Sequence, residues 1–131
     1  MSAGIRLPPL EALLDIYRRE MQVTGGPAGL RDPGGLESAL ARPQNRMAYA
    51  QGNAGVHALA ASLAFGIARN HPFVDGNKRM ALIAAFVTLR LNGWYLDAPE
   101  NETVRAVLGL ADGEIDETGF REFLETWSWR P

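Results

Sequence analysis

Apolar positions recur at helical spacing along most of this chain. Behind Pro8 and Pro9, the residues Leu10, Leu13, Leu14, Tyr17 and Met21 share one face and Glu11, Asp15, Arg18 and Arg19 the other, which predicts an amphipathic helix. Thr24 to Gly29 concentrates glycine and proline and reads as a loop. Asp32 ahead of Pro33 is a helix start, Leu36, Ala39 and Leu40 supply its apolar stripe, and Pro43 is expected to end this shorter second helix. Gln44 to Asn53 has no clear period and stays unassigned. From Ala54 to Arg69, the positions Val56, Leu59, Ala60, Leu63 and Ile67 mark a helix whose remaining face is mostly alanine. Lys78 to Asn92 repeats the behaviour with Leu82, Ile83, Ala85, Phe86 and Leu89 and ends at Gly93. Helices that are apolar nearly all round belong at the centre of a domain, and small alanines let two of them approach closely, so these two are expected to pack together.

The last third predicts a helix over Glu100 to Ala111, with Val104, Val107, Leu108 and Ala111 on its inner face and Asp112-Gly113 as its stop. A final helix starts near Asp116 and carries Phe120, Phe123, Leu124 and Trp127 on one side. No run alternates long enough to demand a strand, although Trp94-Tyr95-Leu96 is able to pair briefly. The expected fold class is all-α: a single domain over residues 1 to 131, about six helices, with a central buried pair flanking one polar loop.

Composition narrows the function classes. Hydrophobic residues at 47% and charged residues at 21% describe a globular chain able to bury a core. Thirteen basic against fifteen acidic residues leave a net charge of -2, so direct nucleic-acid binding by broad phosphate neutralisation is not expected and any basic site is local. The absence of cysteine excludes disulfides and thiolate chemistry and fits a reducing compartment. No charged head precedes an apolar run at the N-terminus, and the apolar segments are too short or are interrupted by Thr88 and Arg90, so the expectation is a cytoplasmic protein without a membrane role. Asn101-Glu102-Thr103 matches a glycosylation sequon but reads better as a helix N-terminus. Trp127-Ser128-Trp129 reads as aromatics docking on the core, with a partner contact as the alternative.

The chemistry gathers in His71-Pro72-Phe73-Val74-Asp75-Gly76-Asn77-Lys78-Arg79, between the two central helices. His71 is the loop's one side chain suited to take a proton near neutral pH; its bland reading is a helix-end cap. Asp75 is the loop's one carboxylate, suited to Mg²⁺ or to orienting His71, or else to an ordinary Asp-Gly turn. Gly76 lets backbone approach a phosphate, and Asn77 is expected to cap the following helix while touching a nucleotide. Lys78 and Arg79 bring cations to a helix N-terminus, which is unfavourable unless an anion sits there. Arg69 is a further candidate phosphate contact or a plain surface arginine. Phe73 reads as the anchor of the loop in the core.

This nine-residue stretch resembles the signature of the Fic/Doc superfamily, and in particular its Doc branch of toxins from toxin–antitoxin pairs. Pro27-Ala28-Gly29-Leu30-Arg31-Asp32-Pro33-Gly34 and Arg46-Met47-Ala48-Tyr49 resemble further stretches of Doc proteins, so the likeness covers most of the chain. The resemblance implies that His71 is the general base and that ATP and Mg²⁺ are used. It implies phosphoryl transfer to a threonine of a translation factor, elongation factor Tu being the family's known target. Fic adenylyltransferases carry a second glycine where Lys78 stands and a second arginine where Leu82 stands; Lys78 takes up the room that glycine leaves, and the resemblance to Doc then implies a nucleotide bound the other way round, with its γ-phosphate near His71. The inhibitory motif of many Fic proteins has no match, so inhibition is expected from an antitoxin whose disordered C-terminal segment folds on the toxin, for which a groove beside the N-terminal helix is the expected seat. Adenylyl transfer and a non-catalytic binding module are the alternatives.

Overall fold

A computed structural model describes residues 4 to 50 and 55 to 131. Among them are six α-helices and one pair of short antiparallel strands: α1 Leu10–Thr24, α2 Pro33–Tyr49, α3 Val56–Asn70, α4 Asn77–Leu91, β1 Tyr95–Leu96, α5 Glu100–Asp112, α6 Glu117–Trp127 and β2 Ser128–Trp129. The fold is all-α, with α3 at its centre. On α3 Leu59, Leu63 and Ile67 are fully buried together with Ala60, Ala61 and Ala64, and on α4 Ala81, Ala84, Ala85 and Leu89 are buried against it. The alanines act as the periodicity requires, because a side chain of one carbon lets two backbones come together without leaving voids. The close approach extends to α2, where a Cβ added to Gly66 would lie 2.9 Å from the Ala39 Cα. One apolar cluster takes residues from all six helices, with Leu13, Leu36, Leu110, Phe120 and Leu124 closing it from outside the central pair. No helix among the described residues is long and apolar enough to cross a membrane.

Three local expectations change. The second helix does not stop at Pro43: it runs through to Tyr49 with Pro43 buried inside it, so it is long rather than short, and Gln44 to Tyr49 is helical. A proline there removes only the bond its own nitrogen would have given to Ala39. Arg42 and Arg46, on either side of it, both reach Glu117 at the start of α6, and that double ion pair holds the two halves of α2 to one partner. Gln51 to Asn53, in the unassigned stretch, and Ala54, the expected helix start, lie outside the described residues.

On α5 the buried positions are Ala106, Gly109 and Leu110, while Val104 and Leu108 are each 49% exposed. Hydrophobicity misplaced this face because the contact is made by small residues: a Cβ on Gly109 would meet the Ile115 side chain at 2.5 Å. At the C-terminus Ser128 and Trp129 leave the helix and pair with Leu96 and Tyr95, as the short extended piece at 94 to 96 permits. Trp129 stacks on Tyr95 at 4.8 Å between ring centroids, half exposed, rather than docking on the core. The sequon lies in the first turn of α5, where Thr103 Oγ1 donates to the Pro99 carbonyl.

Candidate active site

The loop between α3 and α4 is held from three directions. From α4, the Asn77 side chain brackets Phe73: its Oδ1 accepts from the Phe73 N–H and its Nδ2 donates to the Phe73 carbonyl, both at 2.9 Å. From α1, Tyr17 stacks on the Phe73 ring at 4.0 Å, and its hydroxyl donates to the Asp75 carbonyl at 2.9 Å. From the segment before α2, the Leu30–Phe73 bridge lays extended backbone along the loop, with Val74 N donating to Gly29 O and both Arg31 N and Asp32 N donating to Pro72 O. Phe73 is 1% exposed and is the buried anchor of the loop. With its hydrophobic ring fixed and its backbone bracketed, the polar residues on either side have little freedom.

Those residues line one open cleft of about 500 Å³, formed by His71, Val74 and Asp75 to Arg79, with Thr24 and Gly26 facing them from the end of α1 and the loop after it. His71 is the residue that ends α3, in the left-handed region at φ 47° and ψ 56°. A conformation that costs an L-residue roughly 1–2 kcal/mol turns the chain sharply out of the helix. Asp75 Oδ1 accepts from Gly76 N at 2.8 Å, and Oδ2 faces Gly26, where a Cβ would lie 2.6 Å away. Gly76, at φ 86°, takes the N-cap position of α4. No side chain caps this helix: Asn77, expected to do so, spends both amide groups on Phe73. The first intrahelical bond is Met80 N to Gly76 O, so the N–H groups of Asn77, Lys78 and Arg79 have no partner among the described residues. They open beside two cations.

An uncapped helix start with a glycine at its lip and two cations is suited to a phosphate chain. Among the described residues no three His, Cys, Asp or Glu side chains gather to cage a metal. A Mg²⁺ held mainly by phosphate oxygens needs only one or two carboxylates, and Asp75, with Oδ2 clear of hydrogen bonds, fits that requirement.

Of the residues singled out in the sequence, His71, Asp75, Gly76, Asn77, Lys78 and Arg79 come together in the cleft and Phe73 lies beneath it. Arg69 does not join them. Its guanidinium sits 5.1 Å from the Phe65 ring centroid and beside Gly113, away from the cleft lining. Tyr17 and Arg31 were missed. Tyr17 reads as one more apolar position of α1, and the only signal of its second task is that a buried tyrosine hydroxyl needs a partner. Arg31 stands out in no periodicity; its guanidinium donates to the Asn70 carbonyl and twice to that of His71.

A family model described as the Fic/DOC family matches residues 7 to 89, the span from before α1 to near the end of α4. The chain is 36% identical over 106 residues to a protein named Protein kinase doc, from Escherichia phage P1, covering 80% of this chain and 82% of that protein. It is 43% identical over 74 residues to one named Toxin Doc, from Mycolicibacterium smegmatis, covering 56% of this chain and 57% of the relative. The loop, its supports, α3 and all but the last two residues of α4 fall within the matched span, and the chain belongs to the Fic/DOC family.

Proposed function

We propose that the protein is a Doc-type kinase toxin, which transfers the γ-phosphate of ATP to a threonine hydroxyl of a translation factor, with elongation factor Tu as the target, and thereby blocks translation. The observation that carries this reading is the single cleft in which His71 faces the uncapped, doubly cationic start of α4. The names of the two relatives agree with a kinase toxin of the Doc type. Little covalent chemistry is asked of the protein, because phosphoryl transfer is governed by positioning and charge stabilisation. The threonine hydroxyl lies beside His71, which takes its proton as the new O–P bond forms and the bond from the γ-phosphorus to the ADP oxygen breaks. Lys78, Arg79 and the free N–H groups of α4 hold the charge on the transferred group, and Gly76 admits it to the backbone. Asp75 Oδ2 would hold Mg²⁺, which when bound would supply positive charge against that of the phosphates. Asn77 acts on the geometry through Phe73.

Lys78 favours phosphoryl over adenylyl transfer, because its side chain fills the space that a glycine would leave for a β,γ-pyrophosphate at the helix start. Acting on a translation factor implies a cytoplasmic protein. A cognate antitoxin with a disordered C-terminal segment completes the reading. An apolar groove of about 280 Å³ between α4 and α5, lined by Leu82, Val104, Val107 and Leu108 with Lys78 and Arg79 at its edge, is the seat we propose for it, in place of one beside the N-terminal helix.

Purified protein incubated with ATP, Mg²⁺ and elongation factor Tu tests the proposal through the intact mass of the factor. A gain of one phosphate is expected, and a folded His71→Ala variant is expected to produce none. A gain of AMP would establish adenylyl transfer instead. No label transferred from ATP to any protein of a bacterial extract would reduce the molecule to a binding module.

A further inference from the structure

Among the described residues His71 is the one residue other than glycine with positive φ, and it precedes a proline, which further narrows the backbone conformations open to it. Two restrictions therefore act on the residue that aims the imidazole into the cleft. Helix α3 offers no compensation, since at its C-terminus the carbonyls have no following turn to bond. What meets them is Arg31. Its Nη2 donates to Asn70 O at 3.0 Å, its Nε and Nη2 both donate to His71 O at 2.9 and 2.5 Å, and its backbone N–H donates to Pro72 O at 2.7 Å. Three consecutive carbonyls around the strained residue end on one arginine.

We infer that Arg31 is a positioning residue for phosphoryl transfer, fixing the backbone from which the His71 side chain reaches the hydroxyl. This rests on the reading of His71 as the base. Arg31 is exposed, forms no ion pair among the described residues and does not line the cleft, so neither core packing nor phosphate binding accounts for its placement. A cation at a helix C-terminus also interacts favourably with the helix dipole, which adds to the grip. The planar fork matters: a lysine ammonium is a point charge on a flexible stem and cannot hold two carbonyls in fixed relation. Without the fork, Pro72 O keeps the backbone N–H groups of Arg31 and Asp32, but Asn70 O and His71 O lose their partner. The His71 backbone is then held less closely, and the imidazole shifts with it. Lys78, Arg79 and the N–H groups of α4 stay where they are, so nucleotide binding is untouched.

The test compares wild type, Arg31→Ala, Arg31→Lys and His71→Ala in transfer of γ-labelled phosphate from ATP to proteins of a bacterial extract, alongside thermal melts. Arg31→Ala is expected to lower the rate at saturating ATP by about 10- to 100-fold, as misplacement of a catalytic group does. The ATP concentration for half-maximal rate is expected to move by no more than about twofold, the signature of a loss confined to the transition state. Millimolar guanidinium is expected to restore part of the Arg31→Ala rate by entering the vacated place, and Arg31→Lys to recover little. A wild-type rate in Arg31→Ala, with His71→Ala inactive, would overturn the inference alone. So would a loss of rate that tracks a lowered melting point and resists guanidinium. A wild-type rate in His71→Ala would overturn the reading of the base, and this inference with it.

Discussion

Gly26 marks how tightly the cleft is built. It carries no positive φ, so the demand for glycine comes from space alone: a Cβ there would sit 2.6 Å from Asp75 Oδ2 and 3.1 Å from the Met21 methyl. Asp75 is short and tethered, with Oδ1 on Gly76 N and its carbonyl on the Tyr17 hydroxyl, so it cannot swing away without losing a bond. Gly26→Ala is therefore expected to leave the protein folded and to displace the carboxylate, raising the Mg²⁺ concentration needed for half-maximal transfer by about tenfold, the scale on which outer contacts tune metal sites. A Mg²⁺ titration of the transfer rate checks this, and an unchanged titration would remove Asp75 from the metal site. The residues proposed for the chemistry, Arg69 apart, stood out in the sequence because they form one polar run between two apolar helices. Their supports were not legible. Arg31 lies 40 residues from His71 and Tyr17 lies 58 from Asp75, and both act on backbone atoms, which no side-chain pattern records.

At the scale of elements, the helices that sequence located well are those whose packing uses large side chains or closely spaced alanines. Where tertiary contacts overrode local rules, it failed. Pro43 was read as a stop, but α2 is carried past it by contact with a neighbour distant in sequence, Glu117, whose carboxylate is 16% exposed and receives both Arg42 and Arg46. Glu117→Ala leaves two guanidinium groups facing each other and is expected to cost about 1–3 kcal/mol in denaturant unfolding, since a partly buried charge loses its partner. A cost near zero would mean that packing alone keeps α2 straight through its proline. The strand pair has a comparable tie. His57 Nε2 lies 2.7 Å from Ser128 Oγ, with the ring edge-on to Trp94 at 4.5 Å. Burial lowers the His57 pKa below 6.5, against a smaller upward pull from Glu125, and Arg130 adds a downward push. Between the lowered value and 6.5 the unfolded chain binds more protons than the folded one, so stability rises with pH across that window. It is full above 6.5 and lost as pH falls towards the folded value. His57→Gln is expected to flatten the decline in unfolding midpoint between about pH 7 and about pH 5 relative to wild type; parallel curves would assign the decline to other groups.

For the whole molecule, a net charge of -2 coexists with a cleft that presents Lys78 and Arg79 against Asp75, so the attraction for an anion is local and global charge conceals it. The all-α architecture and its central pair followed from the apolar period. The orientation of α5 did not, because Ala106 and Gly109 do the packing while Val104 and Leu108 are left half outside. Chain order gives the arrangement a further consequence, in the timing of synthesis. Tyr17 and Arg31 precede the loop and Asn77 lies within it, so the groups that grip residues 70 to 75 have all been made by the time Arg79 is added. The helix that ends at His71, however, is covered by α6, whose buried Phe120 and Leu124 are made about 40 residues after the loop. A nascent chain thus holds the parts of the site and their grips before it holds the α6 residues that cover α3.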